Sequence, residues 1–514
     1  MKAQSILLCA FLFLTQTSKA QYTINKLLKH DSINSKLMGF TKNILINNGK
    51  IVVSGFEHNN NASYLIQRDN LYFLNDTGKI IFKSQYIFDS ITYGGTYLLK
   101  SLNTTLDSGY TIVGGSEIPT DTIKKQLFIK YSKDGDVEFV KSILPVLPYY
   151  SYNFMSSIQL EDSSYLISGD RKDTFIKLYP TLDKLDKYGN VIWTKQYNIN
   201  KYALISSICK FHGKILMSGT RAYPHPTKIL EYRPFVLSTD TEGNLLNIKY
   251  FSDTVLYGGL YFYLTKYSED KLLFYGEADT IVSSANKCWA GFLGITDSNF
   301  NFQWRTYFSL PDNIFQFYKA SRILDGNIVA VGAEFDGMTH KTIDHIVKVD
   351  SNGNKLWERR YFYPNRVEDH HLYDFAEAPN KDIIAVGSVY GKAFPTYIDS
   401  QNCWFLRLDS MGKLSPSDSG FLISPTGIME IGEDANEVLQ LYPNPSTNFV
   451  KVAYNIHSDG VLSVYDIGGK RLTTRSIKYA DHETELDISS FAKGTYIIEL
   501  VNKKNKYVGK LMKE

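Results

Sequence analysis

The chain reads as all-β: a seven-bladed β-propeller followed by a small C-terminal β-sandwich. Two rulers laid along its 514 residues predict the propeller. The first is a turn glycine between two strand-like runs, at Gly78, Gly135, Gly189, Gly243, Gly353 and Gly412, with Ser298 read at the equivalent place in the fifth copy. The second is a short apolar run closed by glycine, at Gly55, Gly115, Gly169, Gly219, Gly276, Gly332 and Gly387. Successive positions differ by 54 to 59 residues on the first ruler and by 50 to 60 on the second. A fixed period of this size, built only of short strands, signals a propeller or another β array. The third observation is composition: 37 Tyr and 30 Phe are what strand-rich chains favour.

Residues 1–20 read as a secretory signal. Lys2 precedes an apolar run from Ile6 to Leu14, and Ser18 and Ala20 are the small residues a signal peptidase accepts. Cleavage is expected between Ala20 and Gln21. The apolar run is about half the roughly twenty residues needed to cross a bilayer, and no later run is long enough, so no transmembrane segment is predicted.

Residues 21–414 are assigned to the propeller. In the fourth copy its strands are "YALISSICKF", "GKILMSG", "PFVLSTD" and "NLLNIKY". The first-to-second and third-to-fourth connections are tight, glycine-bearing turns, which is hairpin chemistry. The second-to-third connections are long and variable. Trp193 with Tyr197, Trp304 with Tyr307, and Trp357 with Tyr361 follow their turns in phase, as does Tyr250. The seventh copy has no fourth strand of this quality after Gly412, and Pro416 would spoil a ladder there. The segment "QYTINKLLKH" (21–30) is a spare strand. An open sheet edge invites aggregation, so this strand is expected to complete the last blade. Residues 415–436 form a Ser/Pro/Gly-bearing linker. Residues 437–514 hold seven short strand candidates and read as a β-sandwich.

A net charge of +3 with dispersed Lys and Arg argues against a nucleic-acid partner. Cys209, Cys288 and Cys403 remain after the leader, too few and too odd for a disulfide framework; they are read as buried thiols. Metal-ligand types gather at 367–374, with Glu368, Asp369, His370, His371 and Asp374, but neighbours on a strand point to opposite faces. A solvated loop is the expectation there. The run 482–486 begins like a zinc-protease motif and lacks its second His. No nucleophile elbow, phosphate loop or calcium loop occurs. No catalytic residue, metal or cofactor is therefore assigned, and enzymatic activity is left open.

The difference in loop length is more informative. Long connections lie on one end of a propeller, and binding sites sit on variable loops held by a rigid scaffold. The candidate face carries Tyr149, Tyr150, Tyr223, His225, Tyr261, Tyr363, Tyr390 and Tyr397, since tyrosine supplies rigid contact area for sugars or peptides. A binding protein for a polysaccharide or protein ligand is expected. The alternatives are a secreted hydrolase or lyase with its site on the same face, and a structural surface component.

The segments "LYPNPSTNFVKV", "VYDIGGKRL", "LDISSFAKGTYIIEL" and the terminal "KLMKE" occur in that order within 437–514. They resemble the type A C-terminal sorting domain of the type IX secretion system of Bacteroidetes-type bacteria. That resemblance implies the secretion machinery as partner, passage through the periplasm, and export across the outer membrane. It also implies removal of the domain on export, expected within 415–437, and a cargo released or attached to the cell surface. The repeats resemble uncharacterised propellers that often precede this domain, which names a fold and not an activity.

Overall fold

A computed structural model of the chain describes residues 24–28, 37–59, 66–87, 96–117, 126–143, 149–173, 177–199, 202–223, 231–251, 261–281, 287–308, 313–336, 342–361, 370–393, 398–414, 439–454, 458–466, 471–478, 483–502 and 506–514. Two compact units divide it, Met1–Pro425 and Thr426–Glu514. The expected leader, its cleavage at Ala20–Gln21 and the linker 415–436 lie outside the described residues.

The first unit contains seven four-stranded antiparallel sheets among its described residues. Six are continuous in sequence, spanning 37–87, 96–143, 149–196, 203–250, 262–308 and 313–361. They are numbered here as blades one to six. The seventh joins His370–Glu377, Ile383–Ala393 and Ile398–Leu408 to the N-terminal strand Ile24–Leu28. That strand runs antiparallel to the last one, with Ile24 opposite Arg407 and Leu28 opposite Cys403. The first strand of each blade packs on the blade before it, and Leu37–Asn47 of blade one packs on His370–Glu377 and the two strands that follow it in blade seven. The ring is thereby closed, and the first strands flank its axis.

The core lies between blades. Val329, Val331 and Ile346 of blade six share a cluster with Leu372, Ile383 and Trp404 of blade seven. Ile44, Val53 and Tyr72 of blade one share another with Ile384, Val386 and Phe405 of blade seven. Each such side chain contributes about 1.5–3 kcal/mol on burial, and only a neighbouring blade can cover it. Cys403 is buried in this second cluster. Cys209 is half-buried, and burial pushes its thiol up to about 12.

Both rulers have a physical cause. In every blade but the fifth, a glycine at or next to the end of the apolar run faces an irregularity in the innermost strand. In blades four, six and seven, Gly219, Gly332 and Gly387 pair with Ile205, Phe317 and Leu372, and a β-bulge follows at once. The carbonyl before the bulge is driven against the glycine: a Cβ on Gly387 would lie 1.8 Å from the His371 oxygen. In blade two the facing residue is Gly114, one earlier than the sequence pattern suggests.

The other ruler marks a left-handed turn. Gly353 has φ +83°, and a Cβ there would lie 2.5 Å from the Trp304 ring of the preceding blade. The fifth turn differs from expectation. Phe300 takes the left-handed position (φ 63°), not Ser298, because Asp297 and Asn301 make the same bonds as Asp350 and Asn354 in blade six. The residues in phase with Tyr197 and Tyr361 are accordingly the buried Phe251 and Phe308, whereas Tyr250 is exposed.

Among the described residues of the second unit, seven strands form two sheets. Gln440–Tyr442, Phe449–Ala453 and Glu483–Asp487 make one. Gly460–Asp466, Arg471–Ile477, Gly494–Asn502 and Lys506–Lys513 make the other. Val450, Val452, Leu462, Val464, Ile498, Leu500 and Leu511 share one core. The alternating apolar residues of these short strands produce it, one face inward and one outward.

Candidate functional site

At the tight-turn end, the polar groups answer to one another. Asp186, Asp240, Asp297, Asp350 and Asp409 each accept backbone N–H groups two and four residues on, at 2.7–2.9 Å. These bonds, with the side chains of Asn190, Asn244, Asn301 and Asn354, hold the first four carboxyls below the usual range. Each blade then seats the turn of the next. The Tyr197 hydroxyl donates to the Gly243 carbonyl at 2.8 Å, and that of Tyr361 donates to the Gly412 carbonyl at 2.6 Å. Buried cations in the third strands add a further layer. Lys130 bridges Asp107 (2.9 Å), Lys348 bridges Asp325 (2.7 Å) and Arg407 bridges Asp382 (2.8 Å).

The axis follows a different rule. The residue after each glycine-facing position is equivalent from blade to blade: Lys42, Lys100, Met155, Ser206, Tyr263, Tyr318 and Tyr373. In every blade but the fifth it is the bulged residue, and a bulge re-aims its side chain. Blades five to seven thus place three tyrosines in succession on the innermost strands. The Tyr318 and Tyr373 rings lie 5.5 Å apart, and His371 stacks on Tyr373 at 5.6 Å. Tyr263 stacks between Tyr275 (5.1 Å) and Tyr261 (6.2 Å). Tyr261 is 38% exposed and lies just before the first strand of blade five, at the long-connection end.

Burial raises the phenols of Tyr261 and Tyr263, and pushes that of Tyr275 up to about 12. They remain neutral at ordinary pH, so they offer ring faces and hydroxyl hydrogen bonds and no phenolate base. Lys319, 40% exposed, lies 3.6 Å from Asp374. Asp374 also accepts the N–H groups of Ile44 (3.1 Å) and Phe375 (2.8 Å), so its oxygens tie blade seven to blade one.

Of the eight sequence-predicted face residues, Tyr261 is the one whose side chain is described. Tyr149, Tyr150, Tyr223 and Tyr390 sit on strands whose side chains there lie outside the described set. His225, Tyr363 and Tyr397 lie outside the described residues altogether. Tyr263, Tyr275, Tyr318 and Tyr373 were missed, and His371 was weighed only as a metal-ligand type. Their signal was available, since all but Tyr275 lie within two residues of a position facing a repeat glycine, but register is needed to use it. Of the run 367–374, where a solvated loop is the expectation, residues 367–369 lie outside the described set, and 370–374 instead open the innermost strand of blade seven, with His370 and Asp374 buried by blade packing. Among the described residues no three His, Cys, Asp or Glu side chains gather as metal ligands. Glu483, from the zinc-like run, accepts instead from Tyr442 (2.7 Å) and Lys451 (3.1 Å).

A second polar cluster sits between blades five and six, beside a cavity of about 230 Å³ lined in part by Tyr307, Phe308 and Phe315. His345 Nε2 lies 2.7 Å from Glu334 and Nδ1 lies 3.0 Å from Glu358. Arg360 bridges Glu334 at 3.1 Å, and Lys355 bridges Glu358 at 2.8 Å. Burial would raise the Glu358 carboxyl, but His345 and Lys355 outweigh it and hold it at about 2.

Known proteins resemble the chain in two ways. Solved structures match it at low identity. A protein of unknown function from Bacteroides caccae is 14% identical, with a TM-score of 0.33, over 57% of this chain and 89% of that one. The β-propeller domain of the Trilobed protease from Pyrococcus furiosus is 12% identical, with a TM-score of 0.42, over 72% and 94%. A Trypanosoma rangeli sialidase is 8% identical, with a TM-score of 0.37, over 86% of both. No curated protein matches the sequence. The family model that does match is the secretion system C-terminal sorting domain, over residues 440–514. In the described residues no helix is long and apolar enough to cross a membrane. Residues 440–514 are thus a type IX secretion sorting domain, and the chain is an exported β-propeller protein bound for the cell surface or the medium.

Proposed function

We propose that the propeller is a binding module for a polysaccharide, held at the long-connection end of the axis against the tyrosines of blades five to seven. One observation carries this reading. At a position that is equivalent in every blade, three consecutive blades carry Tyr263, Tyr318 and Tyr373, while blades two to four carry Lys100, Met155 and Ser206. A packing role common to all blades would call for one kind of residue throughout, as the turns do. Neutral phenols stacked beside an imidazole suit the apolar faces and hydroxyl rims of sugar rings. The long connections around them, with Tyr223, His225, Tyr390 and Tyr397, are proposed as the outer part of the same face. Asp374 is engaged by two backbone N–H groups and Lys319, which favours binding over hydrolysis.

The test is a glycan and peptide array probed with the full exported chain, followed by titration of the best oligosaccharide. Tyr318→Leu and Tyr373→Leu together are expected to weaken it at least tenfold while the protein stays folded by circular dichroism. Unchanged affinity in that folded variant would remove the tyrosine wall from the site.

A further inference from the structure

We infer that Asp344 is a proton-loaded latch: its neutral carboxylic acid holds blade seven against blade six beside the Tyr318–Tyr373 pair, and loss of the proton opens that seam. The latch positions two rings of the proposed site but does not depend on what they bind. Asp344 lies on the third strand of blade six, Thr342–Val349, and is 0% exposed. Its Oδ1 accepts the N–H of Leu372 at 2.6 Å, on the innermost strand of blade seven and next to Tyr373. Blade two makes the same bond with a neutral side chain, since Gln126 Oε1 accepts the N–H of Phe154 in blade three at 2.7 Å. The two bonds are equivalent. Leu372 and Phe154 face Gly387 and Gly169, and Asp344 and Gln126 pair with Ala333 and Gly115, the residues after Gly332 and Gly114. Blade six therefore puts an acid where a buried amide does the same work.

No cation pairs with that acid among the described residues, and its buried Oδ2 meets no hydrogen-bond partner. The cations that face the seam are engaged elsewhere. Lys319 pairs with Asp374 (3.6 Å), Lys348 pairs with Asp325 (2.7 Å), and Arg359 donates to the Met411 carbonyl (2.8 Å). Glu377 accepts the N–H of Leu324, and the Tyr361 hydroxyl donates to Gly412. Gln316 faces Asp344 across Ala333 and is neutral. His370, buried two residues before Leu372, sets its ring 5.6 Å from that of Trp404. Burial pushes the Asp344 carboxyl well above its usual value of 3.8, opposed only by the Leu372 N–H. A lone carboxylate is too costly to bury, and such a group keeps its proton instead.

The experiment compares the full chain with Asp344→Asn, which keeps the acceptor for Leu372 and carries no charge. The folded wild type retains a proton that the unfolded chain releases above about pH 4. The stability tied to that proton is full below this value and is lost as pH rises towards the folded one. In urea denaturation, the folding equilibrium constant of the variant over that of the wild type should therefore rise with pH, by about tenfold or more between pH 5 and pH 7. Hydrogen exchange at the Leu372 amide, wild type over variant, should rise by about the same factor, because opening the seam releases the same proton. A stability ratio that does not change with pH shows an ionised carboxylate and overturns the inference. A stability ratio that rises while exchange at Leu372 stays flat shows a proton that does not gate the seam, and overturns it as well. Asp344→Gln, the residue type of blade two, is the second variant should the first fail to fold. If neither folds, an amide cannot do the work of the neutral acid, and the inference falls.

Discussion

The two ends of the propeller obey different rules. At the tight-turn end, blades three, four, five and six all place an Asp that closes the turn and an Asn four residues on that returns its bond. Tyr197 and Tyr361 meet the next turn in the same way. Around the axis, equivalent positions diverge to Lys100, Met155, Ser206 and Tyr263. The tight turns have one geometric task, set by backbone pairing, and few side chains can perform it. The bulged positions of the innermost strands hold no ladder bond that dictates a residue. Their divergence is therefore where ligand chemistry can be written without disturbing the ring.

That contrast can be broken most severely at the closure. Deleting residues 22–30 removes Ile24–Leu28 and bares the backbone edge of Ile398–Leu408. The loss should exceed the roughly 5 kcal/mol that marks an exceptional point mutation. A truncated chain that melts with the full one in calorimetry would show that the ring does not depend on its fourth seventh-blade strand.

Gly353→Val should come next, costing about 3 kcal/mol or more in urea denaturation. The valine would have to hold φ +83° and displace Trp304, whose ring lies 2.5 Å from the new Cβ. Sugar affinity in whatever protein still folds should be unchanged, since the turn lies at the other end from the proposed site.

Acid should have a smaller effect, at the contact between blades five and six. The folded Glu358 carboxyl lies near 2, below its ordinary value of 4.5. Its contribution is full above about pH 4.5 and is lost as pH falls towards 2. Glu358→Gln should flatten that part of the pH–stability curve. A variant that keeps the same acid slope would assign the loss to other carboxyls.

The smallest effect on stability is expected at the mouth. Tyr261→Ala should shift unfolding by no more than about 0.5 kcal/mol, because the ring is 38% exposed and packs mainly on Tyr263. The same change should weaken a bound oligosaccharide measurably. A large melting shift without loss of binding would reverse the comparison between the two ends.

Local geometry was legible in the chain itself. A glycine at a left-handed turn or against a bulged carbonyl is required by backbone sterics alone, so Gly353 and Gly387 announced the period and with it the blades. The seven alternating runs of 440–514 announced the sandwich, because one buried face is enough to impose a period of two. The missing fourth strand of the last blade pointed to Ile24–Leu28 for the same reason: backbone N–H and C=O groups need partners. What only the tertiary structure decided was register and neighbourhood. Phe300 rather than Ser298 takes the fifth turn, and His370 and Asp374 enter the core instead of a loop, because ladder position and the adjoining blade outweigh a local run of polar residues. Tyr263, Tyr318 and Tyr373 are separated by 55 residues at each step of the chain. They come onto the innermost strands of three successive blades only when the ring assembles, and Tyr318 meets Tyr373 only there, which no spacing along a single strand encodes.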